Sequence, residues 1–339
     1  AWDESGNEYL DFLLGSGPML VGHAHPDVTA AVQEQVSKGS TFFVNNEAGI
    51  LLAEAIVDAL ACAEKVRFLS SGSEATFYAM RVARAYRQRS KIMKFEGGFH
   101  GTSDATLMSF APRTLSNFPE GVPDSAGIPQ GVRDDILVAP YNDIDAFAGM
   151  LREYADVLAG VLMEPVQRVI PPKPGFLEGV RELTTRHDVP LVFDESGCGF
   201  LLGRGGAQAH FDVVADAVCY GKALGGGLPL GALCGPAWLL QNSEPHLPLR
   251  AAVGVSGGDG VLGHPALTAQ RAFRAFARSH GHHAPRRRTR DRAHGGGRAR
   301  VAGRGRRRPL FWLAQRRHSR PRRAGARGRA VVPPELPGG

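Results

Sequence analysis

The chain has 339 residues, of which 43% are hydrophobic and 22% charged, so it is long and apolar enough to bury a sizeable core. It contains no apolar run close to the roughly 18 residues of a membrane span, which argues against an integral membrane protein. Its four scattered cysteines do not suit a disulfide framework or a paired-cysteine zinc site, and we expect a reducing, cytoplasmic location. Because the first residues include neither an initiator Met nor a secretory signal, we expect a piece of a longer product.

The net charge of +7 is unevenly distributed along the chain. Residues 271–339 hold 21 of the 40 basic residues, all of them Arg, and two of the 33 acidic residues, a net charge of +19. The preceding 270 residues therefore carry −12. We expect an acidic folded body followed by an Arg-rich tail, 271–339, that is disordered or translated out of frame. Nonspecific binding of nucleic acid by this tail is a second hypothesis, which the scarcity of aromatic residues for base stacking disfavours.

The acidic body alternates between predicted helices and predicted strands. The predicted helices span 27–38, 48–61, 74–87, 143–153 and 176–187. The predicted strands span 66–69, 91–95, 136–140, 157–163 and 189–193. This alternation indicates an α/β fold with a mostly parallel sheet covered by helices on both faces. Ligands of such sheets bind beyond the carboxyl ends of the strands, which selects the turn at 71–74, Glu164 and the pair 194–195.

The turn Ser71-Gly72-Ser73-Glu74 lies between a predicted strand and a predicted helix. Free N–H groups and the positive end of the helix dipole would suit a phosphate there, and Gly72 permits close approach of the backbone. The same residues fit a capping box, with Ser71 as N-cap and Glu74 at the third helical position. The local sequence by itself favours the cap.

Asp194 and Lys222 are the other two candidates for chemistry. Asp194 follows an apolar strand, where a carboxylate is either a structural acid paired with an Arg or part of a binding site. Lys222 lies in the glycine-rich segment 221–227, which lacks the pattern of a P-loop, and alone it would be an ordinary surface lysine. A phosphate-binding turn, an acid at a strand end and a lysine are together the three anchors that pyridoxal phosphate requires.

Six motifs occur in one order along the chain: GHAHP at 22–26, SGSEAT at 71–76, KFEGGFHG at 94–101, EP at 164–165, FDE at 193–195 and GKALGGGLP at 221–229. With them, the chain from Trp2 to about Ala269 resembles the class III (subgroup II) aminotransferases of fold type I. Within this family it is most similar to the glutamate-1-semialdehyde 2,1-aminomutase branch. The resemblance implies a fold type I transferase dependent on pyridoxal 5′-phosphate, with an N-terminal segment at 1–40, a large cofactor-binding domain at 41–270 and an incomplete small domain.

The resemblance also implies a role for each matching residue. Lys222 looks like the lysine that forms the Schiff base with the cofactor and moves the substrate proton, and Asp194 like the partner of the pyridine nitrogen. The further residues that it places at the cofactor are Ser71, Gly72, Ser73, Phe99, His100, Glu164, Glu195 and Ser196. It implies a small amino or keto substrate and a homodimer, and no metal, since His23 and His25 are interpreted as packing and turn residues.

Departures from the family pattern keep a second class of function open. Ser196 stands where the family has Val or Ile packed on the cofactor ring, and the segment 257–265 lacks the Thr that reaches the phosphate across the family's dimer. The resemblance ends near Arg271, so an inactive truncated or frameshifted relative is the alternative to an active enzyme. The loop at 119–129 resembles the mobile lid of the aminomutase branch and favours that reaction over aminotransfer, but the sequence does not identify the substrate.

Overall fold

The computed structural model describes residues 1–243, except 41, 43–45, 115 and 116. The segment 257–265 and the Arg-rich tail 271–339 lie outside the described residues, and the expectations for them stay predictions. The same applies to the domain boundary at 270. Among the described helices, none is long and apolar enough to cross a membrane.

The described elements follow the predicted alternation. The helices are α1 (Pro26–Val36), α2 (Glu47–Ala59), α3 (Gly72–Arg87), α4 (Gln130–Asp134), α5 (Ile144–Tyr154), α6 (Phe176–Arg186), α7 (Gly206–Phe211) and α8 (Ala237–Leu240). The strands are β1 (Lys65–Leu69), β2 (Lys91–Phe95), β3 (Ile136–Ala139), β4 (Leu158–Met163), β5 (Leu191–Asp194), β6 (Ala217–Tyr220) and β7 (Gly231–Gly235). Single 3-10 turns form at Phe200–Leu202, Lys222–Leu224 and Gln241–Ser243.

The seven strands form one sheet in the order β1-β7-β6-β5-β4-β2-β3. Strand β7 is antiparallel to both of its neighbours, and the other pairs are parallel. The prediction of an α/β fold with a mostly parallel sheet is therefore confirmed. Strands β6 and β7 were not predicted; β7 begins and ends with Gly, a residue depleted in strands.

Helices cover both faces of the sheet, as the uninterrupted burial of β3, β4, β5 and β6 requires. One core packs the apolar faces of α2, α5 and α6 against the sheet around Phe95 and Phe193. The other packs α3 and α8 around Val138 and Val192. The pleat of each strand sends successive side chains to opposite cores, as with Val192 and Phe193.

Side-chain caps fix where several helices begin. The Asn46 side chain accepts a hydrogen bond from Gly49 N at 2.9 Å, and the Asp143 carboxylate accepts one from Ala146 N at 3.0 Å. Helix α3 begins in the same way at Ser71 and ends at Gln88 in the left-handed conformation.

Six of the seven strands run in one direction, so their carboxyl ends lie along one edge of the sheet. The residues that follow β1, β2, β4, β5 and β6 are the candidates named from the sequence. Topology therefore brings segments that are far apart in the chain to one edge, which is where parallel sheets bind ligands.

Candidate active site

Asp194, the last residue of β5, is a buried carboxylate, with 2% of its surface exposed. Its Oδ2 lies 2.9 Å from Nδ1 of His100, and its Oδ1 accepts a hydrogen bond from Ser196 N at 3.0 Å. The structural alternative, an ion pair with an Arg, is not found among the described residues. The sequence placed His100 near the cofactor but did not identify it as the partner of Asp194.

His100 is hydrogen-bonded to Asp194 but supplies no positive charge to the carboxylate. Burial lowers the pKa of His100 from its ordinary value of 6.5, although Asp194 opposes the shift. The imidazole is therefore neutral at neutral pH, with its proton on Nδ1, where the carboxylate can accept it. Nε2 is buried and has no hydrogen-bond partner among the described residues. Both described partners of Asp194 are thus neutral groups, and the site still lacks a positive charge for this carboxylate.

The turn after β1 performs the capping role considered from the sequence. Ser71 Oγ accepts a hydrogen bond from Glu74 N at 3.1 Å, and the Glu74 carboxylate accepts one from Ser70 N at 2.6 Å. The cap uses the third N–H of α3, so the first two, those of Gly72 and Ser73, have no acceptor within the helix. Capping and phosphate binding are therefore compatible at this turn.

Ser196 approaches the start of α3 rather than standing free at the edge of the site. Its buried Oγ lacks a hydrogen-bond partner among the described residues. A Cβ added at Gly72 would lie 2.9 Å from this Oγ, and one at Gly221 would lie 3.5 Å from it. The hydroxyl therefore fills the space between two glycines, and this place for Ser196 could not be predicted from the sequence.

Replacing Gly221 by alanine is expected to weaken both folding and cofactor binding. Its Cβ would lie 3.0 Å from Gly72 Cα and 3.1 Å from Gly72 N, so the start of α3 must shift. We expect the free energy of unfolding to fall by about 1–3 kcal/mol in a denaturant titration. As a control, Gly149→Ala in α5 meets only Arg152 Nη2 at 3.9 Å and should stabilise by about 0.5–1 kcal/mol. Equal stability of the two variants would contradict the close contact.

Lys222 follows β6 in a 3-10 turn, and its side chain is exposed at the edge of the sheet. Its φ of 40° lies in the left-handed region, which is uncommon for a residue other than Gly. Lys222 Nζ and Glu164 Oε1 each lie 3.8 Å from the place that a Cβ of Gly197 would occupy. A Cβ at Gly17 would lie 3.4 Å from Lys222 Cδ. The lysine therefore lies between two glycines, with the Glu164 carboxylate on the Gly197 side.

Glu164, which follows β4, fixes the backbone of the next loop. Its Oε2 accepts a hydrogen bond from Phe99 N at 3.0 Å. Burial, and then the nearby charge of Asp194, raise the pKa of Glu164 from 4.5 to about 7, while the Phe99 N–H and Lys222 oppose the shift. The Phe99 ring is 36% exposed and packs edge to face against Phe110, with the ring centroids 5.6 Å apart. An aromatic face thus stays accessible beside the carboxyl edge.

Ser73 and Thr76 attach α3 to the loop that carries His100. A Cβ at Gly101 would come within 2.7 Å of Ser73 Cα, so only glycine fits this contact. Thr76 Oγ1 donates a hydrogen bond to the His100 carbonyl at 2.6 Å. Sequence reasoning assigned no role to Thr76, Gly17 or Gly197, because their contacts come from segments distant in the chain and leave no local signal.

The side chain of Glu195 points away from the other candidates. Its Oε2 accepts a hydrogen bond from Ala207 N at 2.7 Å, and Gln208 Nε2 lies 3.4 Å from Oε1. Glu195 therefore contacts the first turn of α7, and cofactor contact by its side chain stays a prediction. Burial raises the pKa of this carboxyl from 4.5 to about 7, against the hydrogen bonds from Ala207 and Gln208.

Glu195→Gln is expected to change how stability depends on pH. The raised pKa means that the folded state holds the proton more tightly, so the stability contributed by Glu195 is lost as pH rises from about 4.5 through 7. The full shift corresponds to roughly 3 kcal/mol, so the variant should gain up to about that amount over wild type between about pH 4.5 and pH 8. Chemical denaturation across this range measures it. Glu182→Gln, at an exposed ion pair with Arg186, serves as control, and parallel curves for all three proteins would contradict the assignment.

The surroundings of Asp194 indicate that the residues at the carboxyl edge of the sheet suit pyridoxal phosphate. A buried carboxylate with only neutral described partners is complementary to a protonated pyridine nitrogen. A helix N-terminus with free N–H groups, an accessible aromatic face and an exposed lysine amine lie along the same edge. Among the described residues, no group of three or more His, Cys, Asp or Glu residues could hold a metal ion. His23 instead contacts Asp11 at 2.6 Å, and His25 precedes α1.

Comparison with known proteins agrees with this site. The pattern of the family described as Aminotransferase class-III matches residues 1–247. The glutamate-1-semialdehyde 2,1-aminomutase 2 of Exiguobacterium sp. is 42% identical over 259 residues, which cover 76% of this chain and 59% of that protein. The chain thus spans about three fifths of the length of this relative.

Solved structures give the same result. A crystal structure of an omega-transaminase from Sphaerobacter thermophilus matches with a TM-score of 0.74 and 33% identity over 81% of this chain and 64% of that one. A transaminase with PLP bound matches with a TM-score of 0.72 and 31% identity, also over 81% of this chain and 64% of that one. The fold is that of the PLP-dependent transaminases. The chain belongs to the class III aminotransferase family.

Proposed function

We propose that this chain binds pyridoxal 5′-phosphate at the carboxyl edge of its sheet and uses it to transfer an amino group of a small amino or keto compound. The observation that carries the proposal is Asp194, a buried carboxylate with neutral described partners on the same edge as Lys222. When bound, the cofactor supplies an electron sink that stabilises negative charge on the substrate carbon next to nitrogen. The protein's own groups then have to bind, orient and move a proton.

Each group has a separate task in this proposal. The free N–H groups of Gly72 and Ser73 at the start of α3 hold the phosphate. Asp194 keeps the ring nitrogen protonated, and the neutral His100 keeps the carboxylate oriented. The Phe99 ring covers one face of the cofactor. Glu195 is proposed at the cofactor from its place beside Asp194, although its side chain contacts α7 and its N–H donates to the Cys219 carbonyl.

Lys222 is the residue proposed for covalent attachment and proton transfer. Its amine would condense with the cofactor aldehyde with loss of water, and the substrate amine would displace it. The free amine of Lys222 would then be the base that takes the proton from the substrate carbon next to nitrogen. Glu164, whose carboxyl has a pKa of about 7, is a titratable group near Lys222, and the charge of this lysine opposes the rise of the Glu164 pKa. Lys222 Nζ lies 3.8 Å from the place that a Cβ of Gly197 would occupy, so the amine lies directly beside this glycine.

Transfer within one molecule, as the name of the aminomutase relative describes, is the reaction favoured here over transfer between molecules. The segment 119–129 supports this choice through its resemblance to the lid of that branch. It lies beside β3, where Val138 N donates to the Pro119 carbonyl at 2.8 Å. An enclosing segment would retain an intermediate that must not leave between two half-reactions.

A spectroscopic screen of amino compounds tests the proposal. The full chain is loaded with pyridoxal 5′-phosphate, and the visible absorption of the bound cofactor is followed on addition of amino donors, with glutamate-1-semialdehyde included. Conversion of the spectrum by at least one donor, with a new amino or keto product found by mass spectrometry, is expected. A loaded protein whose spectrum no donor changes would support the alternative, an inactive relative.

Assembly and location complete the proposal. We propose a homodimer, because large apolar side chains are exposed on the described surface, among them Phe12 at 89% and Leu10 at 84%. We propose a cytoplasmic location, since Cys62, Cys198, Cys219 and Cys234 are all free and buried. Light scattering on the purified protein measures its mass in solution and so tests the proposed homodimer.

A further inference from the structure

Lys94 is a buried lysine for which the proposed chemistry has no use. It is the last residue but one of β2, and only 1% of its surface is exposed. Burying an ammonium group is costly unless every N–H finds an acceptor. The partners of its Nζ therefore show why the sequence places a lysine there.

All three hydrogen-bond acceptors of Lys94 come from one stretch of backbone. Nζ donates to the carbonyls of Gly98 at 3.0 Å, Thr106 at 3.3 Å and Met108 at 2.6 Å. An ammonium group has three N–H donors, so three acceptors satisfy it completely, whereas a neutral amine has only two. The geometry thus matches the charged form.

The stretch that Lys94 holds, 98–108, contains two of the proposed cofactor residues. Phe99 N is bonded to Glu164, and the His100 carbonyl accepts from Thr76. These contacts hold one end of the segment. Among the side-chain hydrogen bonds of the described residues, only those of Lys94 join that end to Thr106 and Met108.

We propose that Lys94 is a positioning residue whose ammonium group holds the segment 98–108 in place, so that Phe99 and His100 are ordered before the cofactor binds. The part of this inference that concerns the cofactor rests on the function proposed above. Lys94 reaches the site through backbone carbonyls and needs no contact with cofactor or substrate.

The charged groups around Lys94 make its hydrogen bonds to the segment 98–108 sensitive to pH. Burial lowers the pKa of Lys94 to about 7, the carboxylates of Asp124 and Glu164 oppose the shift, and Arg168 reinforces it. The lysine in turn adds to the lowering of the pKa of His100. Above neutral pH the amine loses one donor, and one of the three carbonyls loses its hydrogen bond.

Amide hydrogen exchange on the full-length chain without cofactor tests directly whether Lys94 holds the segment 98–108 in place. The amides of Thr106 and Leu107 donate within the segment, to the Ser103 carbonyl. After correction for intrinsic rates, their protection should fall by about threefold or more between about pH 6 and pH 8.5, because the segment opens more often. Gly179 in α6 and His187, its C-cap residue, serve as reference amides. A constant protection ratio between the two groups would overturn the proposal.

Binding measurements on two lysine variants provide a second test of the proposal. Lys94→Met removes the three donors at similar length, and Lys91→Met makes the same change at the start of β2, where the lysine contacts the Asp134 carbonyl instead. The probe is pyridoxamine 5′-phosphate, which has no aldehyde and so binds without Lys222 chemistry. We expect its dissociation constant to rise about tenfold in Lys94→Met below neutral pH and to stay unchanged in Lys91→Met.

The ratio of the dissociation constants of Lys94→Met and wild type should shrink as pH rises above 7, because wild type then loses its charge and one of the three donors that the variant lacks. A ratio that is the same at every pH, or an equal effect of Lys91→Met, would overturn the proposal. If Lys94→Met does not fold, the exchange experiment on wild type decides alone. Failure of every protein to bind the probe would reject the proposed function, while the exchange result would still decide the role of Lys94.

Discussion

Lys222→Ala is expected to reduce amino transfer by at least about 10³-fold, because one substitution removes both the covalent anchor and the proton carrier. The fold should persist, since Lys222 is exposed and its side chain lies beside Gly17 and Gly197. The phosphate contacts proposed at the start of α3 do not involve the lysine. Pyridoxamine 5′-phosphate should therefore still bind within about threefold of its wild-type affinity.

Stopped-flow spectroscopy of the loaded proteins measures the first effect, and fluorescence titration measures the second. Lys173→Ala is the matched control, because it removes an exposed lysine from the loop before α6. Turnover by Lys222→Ala close to that of Lys173→Ala would show that another amine does the chemistry. Loss of phosphate binding in Lys222→Ala would instead mean that the variant disturbs the site as a whole.

Asp194→Asn is expected to lower turnover by about 10²-fold or more while cofactor affinity falls far less. His100 Nδ1 lies 2.9 Å from Oδ2 and Ser196 N donates to Oδ1 at 3.0 Å. In the variant the amide oxygen can still accept from Ser196 N, while the amide NH2 group donates to His100 Nδ1 in its other neutral tautomer. The orientation of the site should therefore survive. What disappears is the negative charge that we propose keeps the pyridine nitrogen protonated.

A pH titration of the cofactor spectrum separates this role from a structural one. The Asp194→Asn protein should lose the proton of the ring nitrogen at a lower pH than wild type, whereas a packing defect would alter affinity without this change. Asp188→Asn, at an exposed position in the turn before the same strand, is the control. Equal half-reaction rates for Asp194→Asn and wild type would remove Asp194 from the mechanism.

The helices and strands could be predicted from the sequence wherever the repeat of apolar residues matched the side chains that are buried. The apolar runs that became β2 to β5 are buried on both faces, and the helical repeats of α2, α5 and α6 place Leu52, Phe147 and Val180 in one core. Strand β7 could not be predicted, because pairing with β1 and β6 on both sides, rather than local propensity, holds a Gly-bounded segment in the sheet.

The candidate site could be predicted only as a set of strand ends. Asp194, Glu164 and Ser71 follow strands, so the topology of a parallel sheet brings them to one edge. The pairings across that edge were not predictable, because each depends on side-chain direction. His100 meets Asp194 from 94 residues away, and Glu195, directly next to Asp194, turns its side chain to α7. The hydrogen bonds from Lys94 to the segment 98–108 likewise depend on the geometry of a loop.

Covalent capture of the cofactor tests the central claim most directly. The full chain is loaded with pyridoxal 5′-phosphate, reduced with borohydride, digested and mapped by mass spectrometry. The account predicts a pyridoxyl group on Lys222, at a stoichiometry near one per chain, with loss of that peptide's label in Lys222→Ala. A label on Lys94 or Lys173, or none on any lysine of a protein that retains the cofactor, would contradict it.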